Sequence, residues 1–173
     1  MNSSKAISRF ESPRINAGAD ILSCFPPGSQ GWLCIFSPDT LLQAVSIDFA
    51  YACFTLHRVR IAKRISPGDL LFPYITGFRV LRGVLRATSI ARVDSQSSIY
   101  GSPGSYPVLV ECEPLLLLDS NTEIDLGQHL GSLGLFRGLK SKDRWASSLR
   151  VSPRSLSRSD TIYLYSLVME GAL

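Results

Sequence analysis

Gly31-Trp32-Leu33-Cys34-Ile35-Phe36, closed by Ser37-Pro38-Asp39, decides the fold: a short, unbroken apolar run ending in a turn signal reads as a buried strand. Pro38 suits the first turn of a helix over about 39–46, with Ser37 as its N-cap. Working downstream, residues 47–55 carry Phe49, Tyr51, Phe54 and Thr55, side chains that favour a second strand. Residues 57–64 alternate basic and apolar side chains in a way that fits one or two helical turns, and Ser66-Pro67-Gly68-Asp69 breaks the chain. Two strands follow, at Leu70–Ile75 and at 78–87; Pro73 places the first at an edge or bulge. A Ser, Gly and Pro loop over 95–105 carries Ile99 and Tyr100. Residues 106–118 form a long strand bent at Pro114. Ser157 and Asp160 resemble a capping box that starts an apolar helix through Ile162, Tyr165, Leu167 and Met169. Upstream, residues 1–30 hold Pro13, Gly18, Pro26, Pro27 and Gly28 without periodicity and read as a loosely attached extension. The expected architecture is α+β, with a curved or closed mixed sheet, short helices at its ends, and a single domain over 31–173.

At 173 residues, 45% hydrophobic and 18% charged, the chain has the make-up of one globular domain rather than a disordered one. No stretch approaches the roughly 18 apolar residues of a membrane span, so a cytoplasmic protein with no membrane partner is expected. Cys24, Cys34, Cys53 and Cys112 are scattered through apolar surroundings without zinc spacing, so they read as free thiols, with no metal and no cofactor. The net charge of +4 says little alone; its distribution says more. Arg137, Lys140, Lys142, Arg144, Arg150, Arg154 and Arg158 face a single acid, Asp143, with Trp145 among them. Such a cationic strip with an interleaved aromatic suits the backbone of a nucleic acid, although a solvated, solubilising surface accounts for it nearly as well.

Several segments, taken in order, resemble the EVE domain family, whose members have a PUA-like mixed β-barrel and are similar to YTH domains. They are 31–38, the Ile65-Ser66-Pro67-Gly68-Asp69-Leu70-Leu71-Phe72-Pro73-Tyr74 segment, 80–89 leading to Ile99-Tyr100, 106–111, and 145–160. Together they span about 31–168. The resemblance implies a barrel of five to six strands flanked by short helices, and a non-catalytic reader that encloses a flipped-out, methylated base of DNA or RNA between aromatic side chains. It also implies company: EVE domains occur fused to nucleases or motor domains in modification-dependent restriction systems, so a separately encoded nuclease or NTPase is a candidate partner. By the same resemblance one pocket wall falls near Tyr51, beside Ala52 and Cys53, a second at Tyr100, and the basic group at Arg150. Neither wall position carries a Trp here.

Physical chemistry supports the same residue types independently. A base taken from its stack recovers about 1–3 kcal/mol by stacking on an aromatic plane. The candidate pocket set is Tyr51, Cys53, Tyr74, Thr76, Tyr100 and Trp145; Lys140, Lys142, Arg144, Arg150 and Arg154 are the candidate phosphate contacts. Each has a plainer reading: Tyr51 and Tyr74 as core, Trp145 as a plug at the barrel end, the cations as solvated surface. Two other classes compete. A Cys53–His57 pair oriented by Asp48 or Asp69 would make a thiol nucleophile, but no P-loop, HExxH or GxSxG motif accompanies it. A PUA-like accessory protein that binds unmodified RNA or another protein is the more serious rival.

Overall fold

β1 (Gly31–Phe36) is buried along almost its whole length, as its apolar composition requires of a strand covered on both faces. Ser37 ends it and caps α1 (Pro38–Ser46). The Ser37 Oγ accepts the Thr40 N–H at 3.2 Å while the Thr40 hydroxyl oxygen accepts the Ser37 N–H at 2.9 Å, so two otherwise orphaned donors are satisfied. β2 is shorter than expected, Tyr51–Phe54, because Asp48 and Phe49 adopt φ of 52° and 53° and spend the preceding residues on a left-handed turn out of α1. A 3-10 turn at Leu56–Arg58 and α2 (Val59–Ala62) follow. The remaining elements are β3 (Leu70–Ile75), β4 (Val80–Leu81), β5 (Gly83–Ala87), β6 (Arg92–Val93), β7 (Val108–Leu117), β8 (Ile124–Asp125), β9 (Arg154–Ser155) and α3 (Arg158–Gly171). The computed structural model describes residues 27–139 and 142–172; residues 1–26, with Cys24 and most of the expected extension, lie outside them. Ser29 and Gln30 are tied to the domain, donating to Gly68 O at 2.8 Å and, through the Gln30 main-chain N–H, to Asp69 Oδ1 at 3.1 Å.

The main strand order is β2-β7-β5-β3-β1-β9, with β1 parallel to β3, β1 antiparallel to β9, and β4, β6 and β8 as short additions. Among the described residues no ladder joins β2 to β9, so the sheet is an open, curled half-barrel. Six strands on that path and a few short helices give the expected α+β mixed-barrel class.

Two strand expectations need correction. The expected single strand over 78–87 is split into β4 and β5 at Arg82, and β3 is central, not an edge. Pro73 is tolerated there because its carbonyl faces that break, accepting the Arg82 N–H at 2.9 Å; the missing proline donor points where the ladder is already interrupted. Opposite, the register between β5 and β7 shifts between Val84 and Leu85, beside Pro114, which is the bend expected of that proline. Gly83 sits at φ 140°, and a Cβ there would run into the Leu116 carbonyl, so only glycine allows the two strands to approach.

Each face of the sheet carries its own core. Leu33, Leu70, Phe72, Tyr74, Leu81 and Val84 pack with Trp145, Leu164 and Val168 on the α3 face. Trp32, Cys34, Phe36, Leu71, Ile75 and Leu85 pack with Phe49, Phe54 and Tyr100 on the α1 face. Each fully buried large apolar side chain contributes about 1.5–3 kcal/mol relative to exposure. On the α3 face Asp160 departs from its expected capping-box role. Ser157 does cap α3, accepting the Asp160 N–H at 3.1 Å, but the buried Asp160 carboxylate accepts the N–H groups of Gly134 and Leu135 at 2.7 and 2.9 Å. It thereby caps a distant 3-10 turn, Gly134–Phe136.

Candidate functional site

β2 stands at one end of the sheet, hydrogen-bonded on one side only, to β7. The Cys112 N–H donates to Ala50 O at 2.9 Å. In an antiparallel ladder the direction then alternates: Ala52 and Phe54 turn their main-chain groups toward β7, whereas Tyr51 and Cys53 turn theirs outward. Glu111, opposite Tyr51, agrees, since its N–H and carbonyl engage Ser89 Oγ and the Thr88 N–H on the far side. On the outward edge the Tyr51 carbonyl accepts the Tyr100 hydroxyl at 2.6 Å. The Cys53 N–H and C=O lie on the same edge.

A small depression of about 40 Å3, open to solvent, runs along this edge between β2 and the C-terminal end of β1, well below the about 300–1,000 Å3 usual for ligand pockets, so a bound ring would lie largely across its open mouth. Phe36, Phe54, Tyr100 and Tyr106 supply its rings; Ser37, Thr40 and Ser152 its hydroxyls; Cys34, Ala52 and Cys53 its small walls. None of the described residues that line it is charged. Tyr100 packs edge-on to Phe36 and Tyr106, with centroids at 5.9 and 6.3 Å, the favoured geometry for aromatic pairs. Ser152 is fixed in place by accepting the Ile35 N–H at 3.0 Å.

Burial pushes the Cys53 thiol up to about 12, with Cys112 adding to the rise and Arg92 opposing it. Burial likewise raises Cys112 to about 12, against a main-chain hydrogen bond from Ala52. Cys34 rises well above its ordinary value through burial and the neighbouring Cys112, and Tyr100 rises through burial and all three thiols. The pocket floor is therefore uncharged at neutral pH. Thiolate chemistry needs the opposite shift. His57 is exposed, with Nε2 3.4 Å from Thr55 Oγ1, and Asp69 is committed to Gln30 N, Trp32 Nε1 and Ser66 N at 3.1, 2.9 and 3.0 Å. Asp48 is an exposed turn residue. Nucleophile, base and orienting acid of the thiol reading therefore do not come together. Among the described residues no cluster of His, Cys, Asp or Glu could hold a metal, and no helix is long and apolar enough to cross a membrane.

Of the candidate pocket residues, Cys53 and Tyr100 meet in this depression, and Tyr51 meets them through its carbonyl while its ring lies half-buried under Arg92, 5.9 Å away. Thr76 lies just beyond, its hydroxyl donating to the carbonyl of pocket-lining Phe36 at 3.1 Å. Tyr74 and Trp145 lie on the other face of the sheet, packed edge-on 6.2 Å apart in the α3 core. Phe36, Ser37, Thr40, Phe54, Tyr106 and Ser152 were missed; the strand-to-helix junction at Ser37-Pro38 was the signal that pointed to half of them. Among the candidate cations, Arg150 is exposed two residues before Ser152, and Arg144 is exposed in the 3-10 segment Lys142–Ser148. Arg154 is half-buried and its Nη1 donates to Ser148 O at 2.9 Å. Lys140 and the side chain of Lys142 lie outside the described residues.

The half-barrel recurs in solved structures. The Pho92 YTH domain in complex with m6A superposes with a TM-score of 0.60 at 15% identity, over 83% of this chain and 85% of that one. The YTH domain of Zygosaccharomyces rouxii MRB1, in complex with N6-methyladenosine RNA, gives 0.58 at 13% identity over 83% and 87%. Human THYN1, an EVE/PUA-like protein in complex with 5-methylcytosine-containing DNA, gives 0.55 at 13% identity over 80% and 97%. The chain has the YTH/EVE fold. In sequence it stands apart: no protein-family model matches it, and no curated protein is similar to it. At this identity the YTH/EVE likeness speaks for the course of the backbone, and the resemblance read from the ordered segments holds at that level. The Pho92, MRB1 and THYN1 structures are of binding domains.

Proposed function

We propose that this protein is a non-catalytic nucleic-acid reader that takes one flipped-out, methylated base of DNA or RNA into the depression between β1, β2 and the Tyr100 loop. The observation that carries this is the character of the pocket: aromatic walls, small hydroxyls and an outward main-chain edge, with no charge in its lining. A nucleobase is a neutral, planar, polar-edged ring. Charged walls would spend free energy on desolvation, whereas rings and amide groups meet both its faces and its edge. The Cys53 N–H and C=O offer one donor and one acceptor to that edge, and the Ser152 hydroxyl, which accepts the Ile35 N–H, offers its own proton from the other side. Arg150, Arg144 and Arg154, with Lys140 and Lys142, serve the phosphates, and Tyr51 forms the rim. Similar folds crystallised with methylated RNA and DNA support the reading. Any cleavage would belong to a separately encoded nuclease or NTPase.

The test is binding of single- and double-stranded DNA and RNA oligomers, each carrying a different methylated base, at low salt. Burying one methyl is worth at most about 0.8 kcal/mol, roughly fourfold, and more where the plain base leaves a pocket group unpaired. One methylated oligomer should therefore stand out by up to about fourfold, and by more where its plain counterpart leaves a pocket group unpaired. Equal binding of methylated and plain oligomers would favour the accessory-protein reading.

A further inference from the structure

Three arginines in the β4–β6 region are matched by carboxylates: Arg82 pairs with Glu123, Arg86 with Glu113 and Arg92 with Asp94. The cations between β2 and β3 are not. Arg58, Arg60, Lys63 and Arg64 occupy one short stretch without a single acid between Phe54 and Asp69, and none makes an ion pair among the described residues. Arg60, Lys63 and Arg64 are all exposed. The turn of α2 carries on past its last residue, with the Lys63 N–H on Val59 O at 3.0 Å and the Arg64 N–H on Ile61 O at 2.9 Å. The three cations therefore stand at i, i+3 and i+4, on one side of the turn, where like charges repel. Beside them the Arg58 Nε is a buried donor with no acceptor, and Arg64 is held over the Trp32 ring at 5.8 Å. This segment begins four residues after Phe54, and Phe54 lines the depression.

We propose that the 58–64 turn is a second phosphate-binding tract, and that it carries the strand on the β2 side of the pocket while Arg150 carries it on the Ser152 side. The inference rests on the base-binding reading for its choice of polyanion. A row of mutually repelling cations without carboxylate partners is further stabilised when an anion arrives, and a phosphodiester backbone supplies one charge per nucleotide on each strand. Two tracts on opposite walls would clamp the strand on both sides of the extruded base. The binding site would then extend several nucleotides beyond the base itself.

The experiment compares the native chain with R60Q/K63Q/R64Q and with the charge reversal R60E/K63E. The probes are 12-nucleotide DNA and RNA strands carrying one central N6-methyladenine or 5-methylcytosine, their plain counterparts, and the corresponding trinucleotides. Each charge removed should lower the salt slope by about 0.7 for a single strand. The triple variant should therefore lose about 2 from its slope on the 12-mer, and its affinity should fall roughly 15-fold less than the native chain's between about 50 and 200 mM salt. The reversal should bind the 12-mer more weakly still, and trinucleotide binding should not change. An unchanged slope overturns the second tract, leaving these cations to an acidic protein partner, whether or not the pocket discriminates. A lowered slope with equal binding of methylated and plain strands keeps the tract and removes the base reading. No salt-dependent binding by the native chain overturns both.

Discussion

The α3 face and the α1 face of the half-barrel are both rich in aromatic residues, yet the rings described above pack into core on the first and border a depression on the second. On the α3 face Trp145 meets Tyr74 at 6.2 Å and Phe136 at 5.5 Å, each edge-on, and Leu164 and Val168 close over them from the helix. On the α1 face the equivalent room is left by what the residues lack: Ala52, Cys34 and Cys53 are small where β1 and β2 come together. The difference teaches that aromatic rings make a site only where small neighbours leave one of their edges or faces unoccupied. Rings with large neighbours on every side become core.

The largest expected effect comes from breaking the closed face. Trp145→Ala should cost about 3–5 kcal/mol in urea unfolding, yet below the transition its preference among oligomers should match the native chain's, because Trp145 lies across the sheet from the pocket. A loss of preference without loss of stability would put Trp145 in the site after all. A smaller effect is expected on the open face. Tyr100→Phe removes the hydroxyl that satisfies the Tyr51 carbonyl and should cost about 1–3 kcal/mol by the same measurement. It should also weaken methylated-base binding, since a ring without that hydroxyl no longer pins the edge that carries Cys53. If binding is untouched, the Tyr51–Tyr100 bond belongs to folding alone.

A third effect, read from a slope rather than from a single value, is the most diagnostic of a neutral pocket floor. Cys53 and Cys112 titrate near 12 in the fold, against 9.0 for the ordinary thiol, so the folded chain keeps protons that the unfolded chain releases. Their contribution is complete below about pH 9 and is lost as the pH rises toward about 12, with a slope of at most about 1.4 kcal/mol per pH unit for each thiol. Stability measured from about pH 8 to 11 should fall, and Cys53→Ala should flatten the fall. An identical slope in that variant would mean that Cys53 meets water more freely than its burial implies.

How much of this could be read in the sequence varies with the range of the interaction. The start of the domain was legible because its determinants are adjacent: an apolar run, a capping Ser37 and Pro38 lie within a few residues. Pro73 was misplaced at an edge because the break that accommodates it, at Arg82, lies on another strand. Asp160 looked like a local cap, and its carboxylate instead serves Gly134 and Leu135 across 25 or more residues. For the site, Tyr74 and Trp145 were prominent letters, but which face each would take depends on a sheet buried on both sides, where alternation marks no inside. Tyr100 and Cys53 were within reach, since a loop aromatic has little core to join. Cys34 carried no signal at all and Ala52 entered only as a neighbour of Tyr51, because a cavity is made by atoms that are absent.

The outward edge of β2 has one more consequence. An amide group is the same whatever side chain it bears, proline excepted, so a contact made through the main chain of residue 53 asks only that its side chain stay small enough to leave the depression open. Within that limit inheritance can rewrite such a strand letter by letter, provided that its last partner remains on one side only. Kinship among chains built in this way would survive in their shape long after it had vanished from their spelling.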